Sequence, residues 1–194
     1  MIQDPDHELV EQAQKQDKAA FSKLVEKYYD MVYSIAYGIL NRRESAQDAA
    51  QEVFFKVFKD IQKFEGKSKF KTWLYRISVN MAIDFHRRVR HALSIDGTDV
   101  SDDEDEAPII IVDDAKGPRD GALQSEREEK LKMALTKLTE EHRAILLLRE
   151  WQDLSYEEIA EILGIEIGTV MSRIFYARKK LAEILKQELQ GENL

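Results

Sequence analysis

Apolar residues recur at helical spacing along most of the chain. Between Lys18 and Leu40 they fall at Phe21, Leu24, Val25, Tyr28, Val32, Ile35, Ala36 and Ile39, one face of a helix. A second amphipathic stretch begins at Ser45, where Asp48 three residues on gives a capping-box pattern. Its apolar face is Ala50, Val53, Phe54, Val57, Ile61 and Phe64. A third helix is expected from about Ser68 to Arg90, with Phe70, Leu74, Ile77, Met81 and Phe85 as its core stripe. Two more are expected over about Glu126–Leu138 and Thr139–Gln152. A helical pair follows. Ser155-Tyr-Glu-Glu158 is a capping box opening a short helix that Ile159, Ala160, Ile162 and Leu163 bury. Gly164 suits a left-handed C-cap, and Ile165 is the apolar turn residue. The second helix of the pair starts near Gly168, with Val170, Ile174, Ala177, Leu181 and Leu185 inward. No alternating strand pattern competes, so the expected fold is all-α.

One stretch breaks the pattern. Ser94 to Gly121 has no helical period and holds two of the three prolines and the run Ser101-Asp-Asp-Glu-Asp-Glu106. Like charges in a row repel and favour extended chain. Two small helical domains are therefore expected, residues 1–92 and 125–194, joined by an acidic flexible linker over 93–124. Within the linker, Pro108-Ile-Ile-Ile-Val112 is apolar enough to dock. A linker that orders on a partner and a passive tether both fit.

Charge is segregated in the same way. The net charge is -8, but residues 1–91 carry 16 Lys and Arg against 13 Asp and Glu. Residues 92–130 carry 4 against 13, and residues 131–194 carry 9 against 11. The stretch from Lys63 to His91 has eight basic residues and two acidic ones. The absence of cysteine excludes disulfide scaffolds, thiolate zinc sites and cysteine nucleophiles. No run of 18 apolar residues suggests a membrane span, and the polar, acidic start is unlike a secretory signal, so a cytoplasmic setting is expected.

Candidate chemistry lies on two helices. Beside the core stripe of the third helix, Trp73, Arg76, Asn80, Asp84 and Arg87 share roughly 80° of arc. A tryptophan can stack on a base, an amide can read a base edge, and arginines can hold phosphates. Lys67 and Lys69 lie in the basic loop just upstream. Together they suit single-stranded nucleic acid, although a solvated face with a boundary tryptophan gives the same pattern. Gly66-Lys67-Ser68 is not a P-loop, because position 61 is Ile and a helix precedes it. The C-terminal pair has the form of a helix-turn-helix, although a plain αα-hairpin gives the same pattern. Thr169, Ser172, Arg173, Tyr176, Lys179 and Lys180 point outward from its second helix, with Phe175 also off the core stripe. Arginine there can contact guanine or phosphate, and Phe175 can touch thymine methyls. The four histidines have no metal-ligand spacing, and no nucleophile–base constellation stands out, so no metal, cofactor or enzymatic activity is expected.

Three stretches resemble the extracytoplasmic-function (ECF) group of bacterial sigma factors: Asp48-Ala-Ala-Gln-Glu-Val-Phe54, Phe70-Lys-Thr-Trp-Leu-Tyr-Arg-Ile-Ser-Val-Asn80, and Leu154-Ser-Tyr-Glu-Glu-Ile-Ala160 with Gly168-Thr-Val-Met-Ser-Arg-Ile174. The likeness spans about residues 8–91 and 125–188. It implies a protein that binds bacterial core RNA polymerase, directs it to a promoter and opens the DNA. By resemblance, Asp48, Gln51 and Glu52 belong to the motif that binds the polymerase β′ coiled coil. The 65–70 loop and the stripe, with Lys67, Lys69, Trp73, Arg76, Asn80 and Arg87, match the region that captures an unstacked base of the minus-ten element. Arg149, Thr169, Ser172, Arg173, Phe175, Tyr176, Arg178 and Lys179 fall in the domain that reads the minus-thirty-five duplex. An anti-sigma factor is an implied partner, and a small-molecule substrate is not.

The sequence departs from the group at two positions. Many relatives have a basic residue at Met171 and often arginine at Tyr176, so the promoter sequence does not carry over. The long domain between the two conserved ones in primary sigma factors is replaced by the acidic linker, a polyanion that could mimic RNA in the exit channel. The competing reading is a stand-alone helix-turn-helix regulator, which would need no stacking platform at Trp73; an RNA-binding interaction protein is a third.

Overall fold

The structure is a computed structural model that describes residues 4–95 and 130–191, with side chains described over 4–91 and 130–187. The acidic run, the Pro108–Val112 segment and the start of the helix expected at Glu126 lie outside the described residues. Helix α1 spans His7–Gln14, α2 Lys18–Leu40, and α3 Arg43–Asp60, which runs into a 3-10 turn at Ile61–Lys63. Helix α4 spans Phe70–Ile95. After the undescribed segment, residues 130–136 form α5. Helix α6 spans Glu140–Leu146 and continues as a π-helical turn over Leu147–Trp151; α7 spans Tyr156–Leu163 and α8 Ile167–Gly191. Among the described residues there is no strand, and no helix is long and apolar enough to cross a membrane.

Local chemistry explains most boundaries. The Asp17 carboxylate accepts from the Ala19 and Ala20 N–H groups and starts α2, and Asn41 in the left-handed region ends it. Thr139 caps α6. The Ser155 capping box opens α7 with both hydrogen bonds in place, and Gly164 closes it at φ 66°. The capping box read at Ser45 is overturned. Helix α3 begins two residues earlier, at Arg43, with no side-chain cap. Packing decides that start: Ala46 and Ala49 press into a small cluster with Ala36, Tyr37 and Leu40 of α2.

The first four helices enclose one core. Val10 and Ala13 of α1 meet Leu24, Tyr28 and Val32 of α2, Val53 and Val57 of α3, and Phe70, Leu74 and Ile77 of α4. On α4 the buried set is wider than the expected stripe, because Tyr75, Val79 and Ala82 are also buried. They lie in a second core shared with the C-terminal half. Ile35 and Ile39 of α2 join them against Leu138, Ile145, Leu148, Ile159, Ile162 and Ile174. The two halves are thus docked through apolar surface. Gly38 lets α2 approach closely, since a Cβ there would sit 2.6 Å from both δ-carbons of Leu147. The buried Arg143 guanidinium spans the joint, donating to the Leu135 carbonyl (2.9 Å), the Thr136 and Leu138 carbonyls, and the Ile39 carbonyl of α2.

An acidic clamp at the N-terminus holds the base of α4. Asp6 is 1% exposed and accepts from the Lys27 ammonium and the Tyr28 hydroxyl. Its N–H donates to Asp4 Oδ1 at 3.0 Å, and Asp4 Oδ2 accepts from the Phe70 N–H, the first of α4, at 2.6 Å. A carboxylate there satisfies an orphan donor at the positive end of a long helix. Replacing Asp6 by Ala leaves the buried Tyr28 hydroxyl without its acceptor, at a cost of about 1–3 kcal/mol. The urea midpoint of Asp6→Ala should fall accordingly; an unchanged midpoint would show that the clamp carries no stability.

Candidate nucleic-acid interface

Three surfaces display the residues singled out in the sequence. The first is the outer face of α3, where Asp48 and Gln51 are exposed. Glu52 is partly buried and holds Arg88 of α4 at 2.7 Å. Sequence reasoning missed two residues here. Phe55 and Phe58 are 61% and 48% exposed although apolar. Helical geometry puts Asp48, Gln51, Glu52 and Phe55 within about 100° of arc, opposite the buried Ala50, Val53 and Val57. The signal was present, because neither ring falls on the core stripe. The Lys59 ammonium sits 4.1 Å from the Phe55 ring centroid, within cation–π range.

The second surface is the outward stripe of α4 with the loop before it. Gly66 at φ 68° turns the loop, and Lys67 pairs with Glu65. Lys69 is exposed, and its carbonyl accepts from the Trp73 N–H at 3.1 Å. The Trp73 ring is partly buried, its centroid 5.1 Å from that of Phe64 and 5.8 Å from that of Phe70. It borders a cavity of about 130 Å³ lined also by Lys67, Ser68, Thr72, Arg76 and Glu161.

The rest of the stripe faces the C-terminal half. Arg76 donates to the Glu161 carbonyl at 2.5 Å and the Ile162 carbonyl at 3.3 Å. Those oxygens end α7, where the helix dipole favours a cation. Arg87 pairs with Glu141 at 2.6 Å, and Arg90 with Glu140 at 3.4 Å. The Tyr75 hydroxyl donates to Gln152 Oε1 at 2.8 Å. A cleft of about 340 Å³ between the halves gathers Asn80, Asp84, Arg87, Glu141 and Arg173. Residues expected to act on different DNA elements, Asn80 and Arg87 on one side and Arg173 on the other, therefore line one cleft.

The third surface is the open face of α8. Ser172, Phe175, Tyr176, Arg178 and Lys179 are exposed, and Thr169 is half-buried. Arg178 pairs with Glu150 at 2.5 Å. Arg149 is turned inward: it donates to the Leu154 carbonyl at 2.8 Å and lies 5.3 Å from the Tyr156 ring centroid, bracing the entry to α7.

Comparison with known proteins places this arrangement. The family description "Sigma-70 region 2" matches residues 24–92, and "Sigma-70, region 4" matches residues 128–181. The RNA polymerase sigma-H factor of Pseudomonas aeruginosa is 35% identical over 98% of both chains. The ECF RNA polymerase sigma factor SigW of Bacillus subtilis is 33% identical over 91% of this chain and 95% of its own. The chain belongs to the ECF group of RNA polymerase sigma factors. Its fold agrees. The sigma factor RpoE of Bartonella quintana, solved with the anti-sigma factor NepR, superposes with a TM-score of 0.64 at 25% identity, over 86% of this chain and 96% of that one. CnrH, solved with the cytosolic domain of CnrY, shares the fold with a TM-score of 0.66 at 23% identity, over 95% of this chain and 99% of that one.

In this sigma factor the joint between the halves also carries a titratable group. His86 Nδ1 sits 2.8 Å from Glu140 Oε1, with Arg90 and Arg143 nearby. Burial pushes the imidazole below its ordinary value of 6.5, against the pull of Glu140. The docked protein thus prefers neutral His86, while the released imidazole takes up a proton more readily. Stability from this group is complete above about pH 6.5 and falls as pH drops below it. Denaturation midpoints at pH 7.5 and 5.5 should show that loss, and His86→Gln should reduce the difference; an identical pH dependence in the variant would remove His86 from the account.

Proposed function

We propose that this sigma factor binds bacterial core RNA polymerase, directs it to specific promoters and helps open them. The observation that carries the reading is the presence of both sigma regions in one chain aligned almost end to end with sigma factors. That pairing, with a stacking-capable stripe on α4, separates it from a stand-alone helix-turn-helix regulator. Sigma factors are initiation factors, so the chain is read as having no catalysis, cofactor or small-molecule substrate of its own, and as acting in the cytoplasm.

Each surface has a role in this reading. Asp48, Gln51 and Glu52 grip the polymerase coiled coil, and Phe55 and Phe58 add apolar area beside them. Lys67, Lys69, Trp73, Arg76, Asn80 and Arg87 engage the minus-ten element as separated strands. Thr169, Ser172, Arg173, Phe175, Tyr176, Arg178 and Lys179 meet the minus-thirty-five duplex, with Arg149 behind them. The division into 1–92, an acidic linker at 93–124, and 125–194 follows this allocation. An anti-sigma factor is a further partner, in keeping with the partner-bound RpoE structure.

The docked state holds several of these groups away from DNA. Arg76 and Arg87 are paired across the joint, and Arg173 lines the cleft. Polymerase binding would draw the halves apart. Gly38→Leu should wedge α2 from Leu147 and let the free chain bind a minus-ten single strand more tightly than the parent does. Unchanged strand affinity in a variant that melts cooperatively would argue against masking.

The assignment of surfaces has its own test. Asp48→Ala with Gln51→Ala should weaken assembly with core polymerase while changing stability by no more than about 0.5 kcal/mol, since both side chains are exposed. Trp73→Ala should spare the closed promoter complex and impair melting, because base stacking is worth roughly 1–3 kcal/mol. Arg173→Ala should weaken recruitment itself. Gel shifts and permanganate footprinting on duplex and pre-opened templates separate these effects. Equal loss of closed-complex binding in Trp73→Ala and Arg173→Ala would contradict the division of labour.

A further inference from the structure

The cleft of about 340 Å³ between the halves is built from both of them. Helix α4 lines it with Asn80, Ile83, Asp84 and Arg87, spaced so that one helix face presents all four. Helices α6, α7 and α8 close it with Glu141, Leu163 and Arg173. Its volume falls within the range of small-molecule sites, about 300 to 1,000 Å³. The cavity beside Trp73, at about 130 Å³, does not.

The charges in the cleft are only half matched. Arg87 and Glu141 pair with each other at 2.6 Å. Arg173 is half-buried and Asp84 is exposed, and among the described residues neither side chain has an ion pair or a hydrogen bond. A guanidinium and a carboxylate thus line one cleft without meeting. A half-buried guanidinium has lost part of its hydration and gains from any anion that reaches it. The space suits a molecule that brings an anion to Arg173 and hydroxyl donors to Asp84. Phosphate matches a guanidinium bidentately, and a ribose hydroxyl donates to a carboxylate. The Asn80 carboxamide can pair with the amino group and ring nitrogen on one edge of adenine. Ile83 and Leu163 offer an apolar wall for the face of the base. A free amino acid would satisfy the two charges but leave Asn80 and that wall unused.

We propose that this cleft binds an adenine ribonucleotide, with its phosphate on Arg173, its ribose on Asp84 and its base between Asn80 and the apolar wall. Both halves contribute, so the ligand binds the docked state and not the parted one. At a hundred times its Kd it raises the ratio of docked to parted chains about a hundredfold. The site itself does not depend on the promoter-binding reading. Only its consequence does: a sigma factor held back from DNA while the nucleotide is bound.

Equilibrium dialysis of the full chain against adenosine monophosphate tests this, with adenosine, deoxyadenosine monophosphate and inorganic phosphate as competitors. The expected result is saturable binding at a single site. Affinity should fall about tenfold or more when the phosphate or the ribose hydroxyl is missing, the worth of a hydrogen bond to a charged group. Arg173→Ala should bind adenosine and its monophosphate alike. Asp84→Ala should bind the ribose and deoxyribose forms alike while still preferring the phosphate. Each variant keeps the discrimination that the other loses, which a misfolded chain would not. Absence of saturable binding would overturn the proposal, as would binding that neither variant changes. Inorganic phosphate competing as well as the nucleotide would also overturn it, because the cleft would then be a plain anion site. Failure of the promoter-binding reading looks different. If the nucleotide bound with both discriminations yet left the free chain's affinity for a minus-ten single strand unchanged, the site would stand. The part given to Asn80 and Arg87 in holding that strand would fall.

Discussion

The structure depends on the joint between its two halves, and above all on Arg143. A guanidinium taken out of water needs its donors satisfied, or the desolvation cost is several kcal/mol. Here the acceptors are carbonyls of the 135–138 stretch and of Ile39, at the end of α2 in the other half. Undocking exposes the apolar surface of Ile35, Ile39, Tyr75 and Val79 and takes one of those acceptors away. Apolar contact supplies the drive, and the buried cation fixes how the halves meet. Gly38 against Leu147 sets how close they come.

The same joint links stability to function. The α4 cations proposed to meet a nucleic-acid strand find protein acceptors in the docked state: the carbonyls ending α7 and the carboxylates opening α6. In the proposed function, DNA phosphates would compete with these groups for the same donors. Most of the pairs are exposed, so each is worth little by itself and yields to a stronger partner. The apolar joint is the larger barrier, and a polymerase that binds the two halves at separated sites would supply the energy to part them. The α3 face and the open face of α8 lie outside the joint and stay exposed in the docked state.

Much of this was legible in the sequence. The periods of α2, α4 and α8 marked their helices, and Ser155 and Gly164 marked both ends of α7 because capping is local chemistry. The burial of Tyr75 and Val79 was not legible, since they lie off the α4 core stripe and the core that holds them draws mostly on a half distant in sequence. The start of α3 was missed because alanine packing on α2 outweighed the Ser45 signal. Phe55 and Phe58 were passed over because apolar residues read as core by default. The partners of Arg149 and Arg178 depend on turn geometry, which spacing does not reveal. The candidate site residues could be named from the sequence only as types on faces; that Arg76, Arg87 and Arg173 meet at one joint needed the tertiary structure.

The central claim is that the halves are docked in the free protein and separate on the polymerase. The chain has no cysteine, so a pair of introduced ones can be spin-labelled without background. Lys23 of α2 and Lys186 of α8 are both exposed and lie in different halves. Pulsed electron–electron resonance on Lys23→Cys with Lys186→Cys should give one narrow distance distribution for the free chain, and a longer one when core polymerase is added. A broad distribution in the free chain, or a distance that polymerase leaves unchanged, would contradict the account.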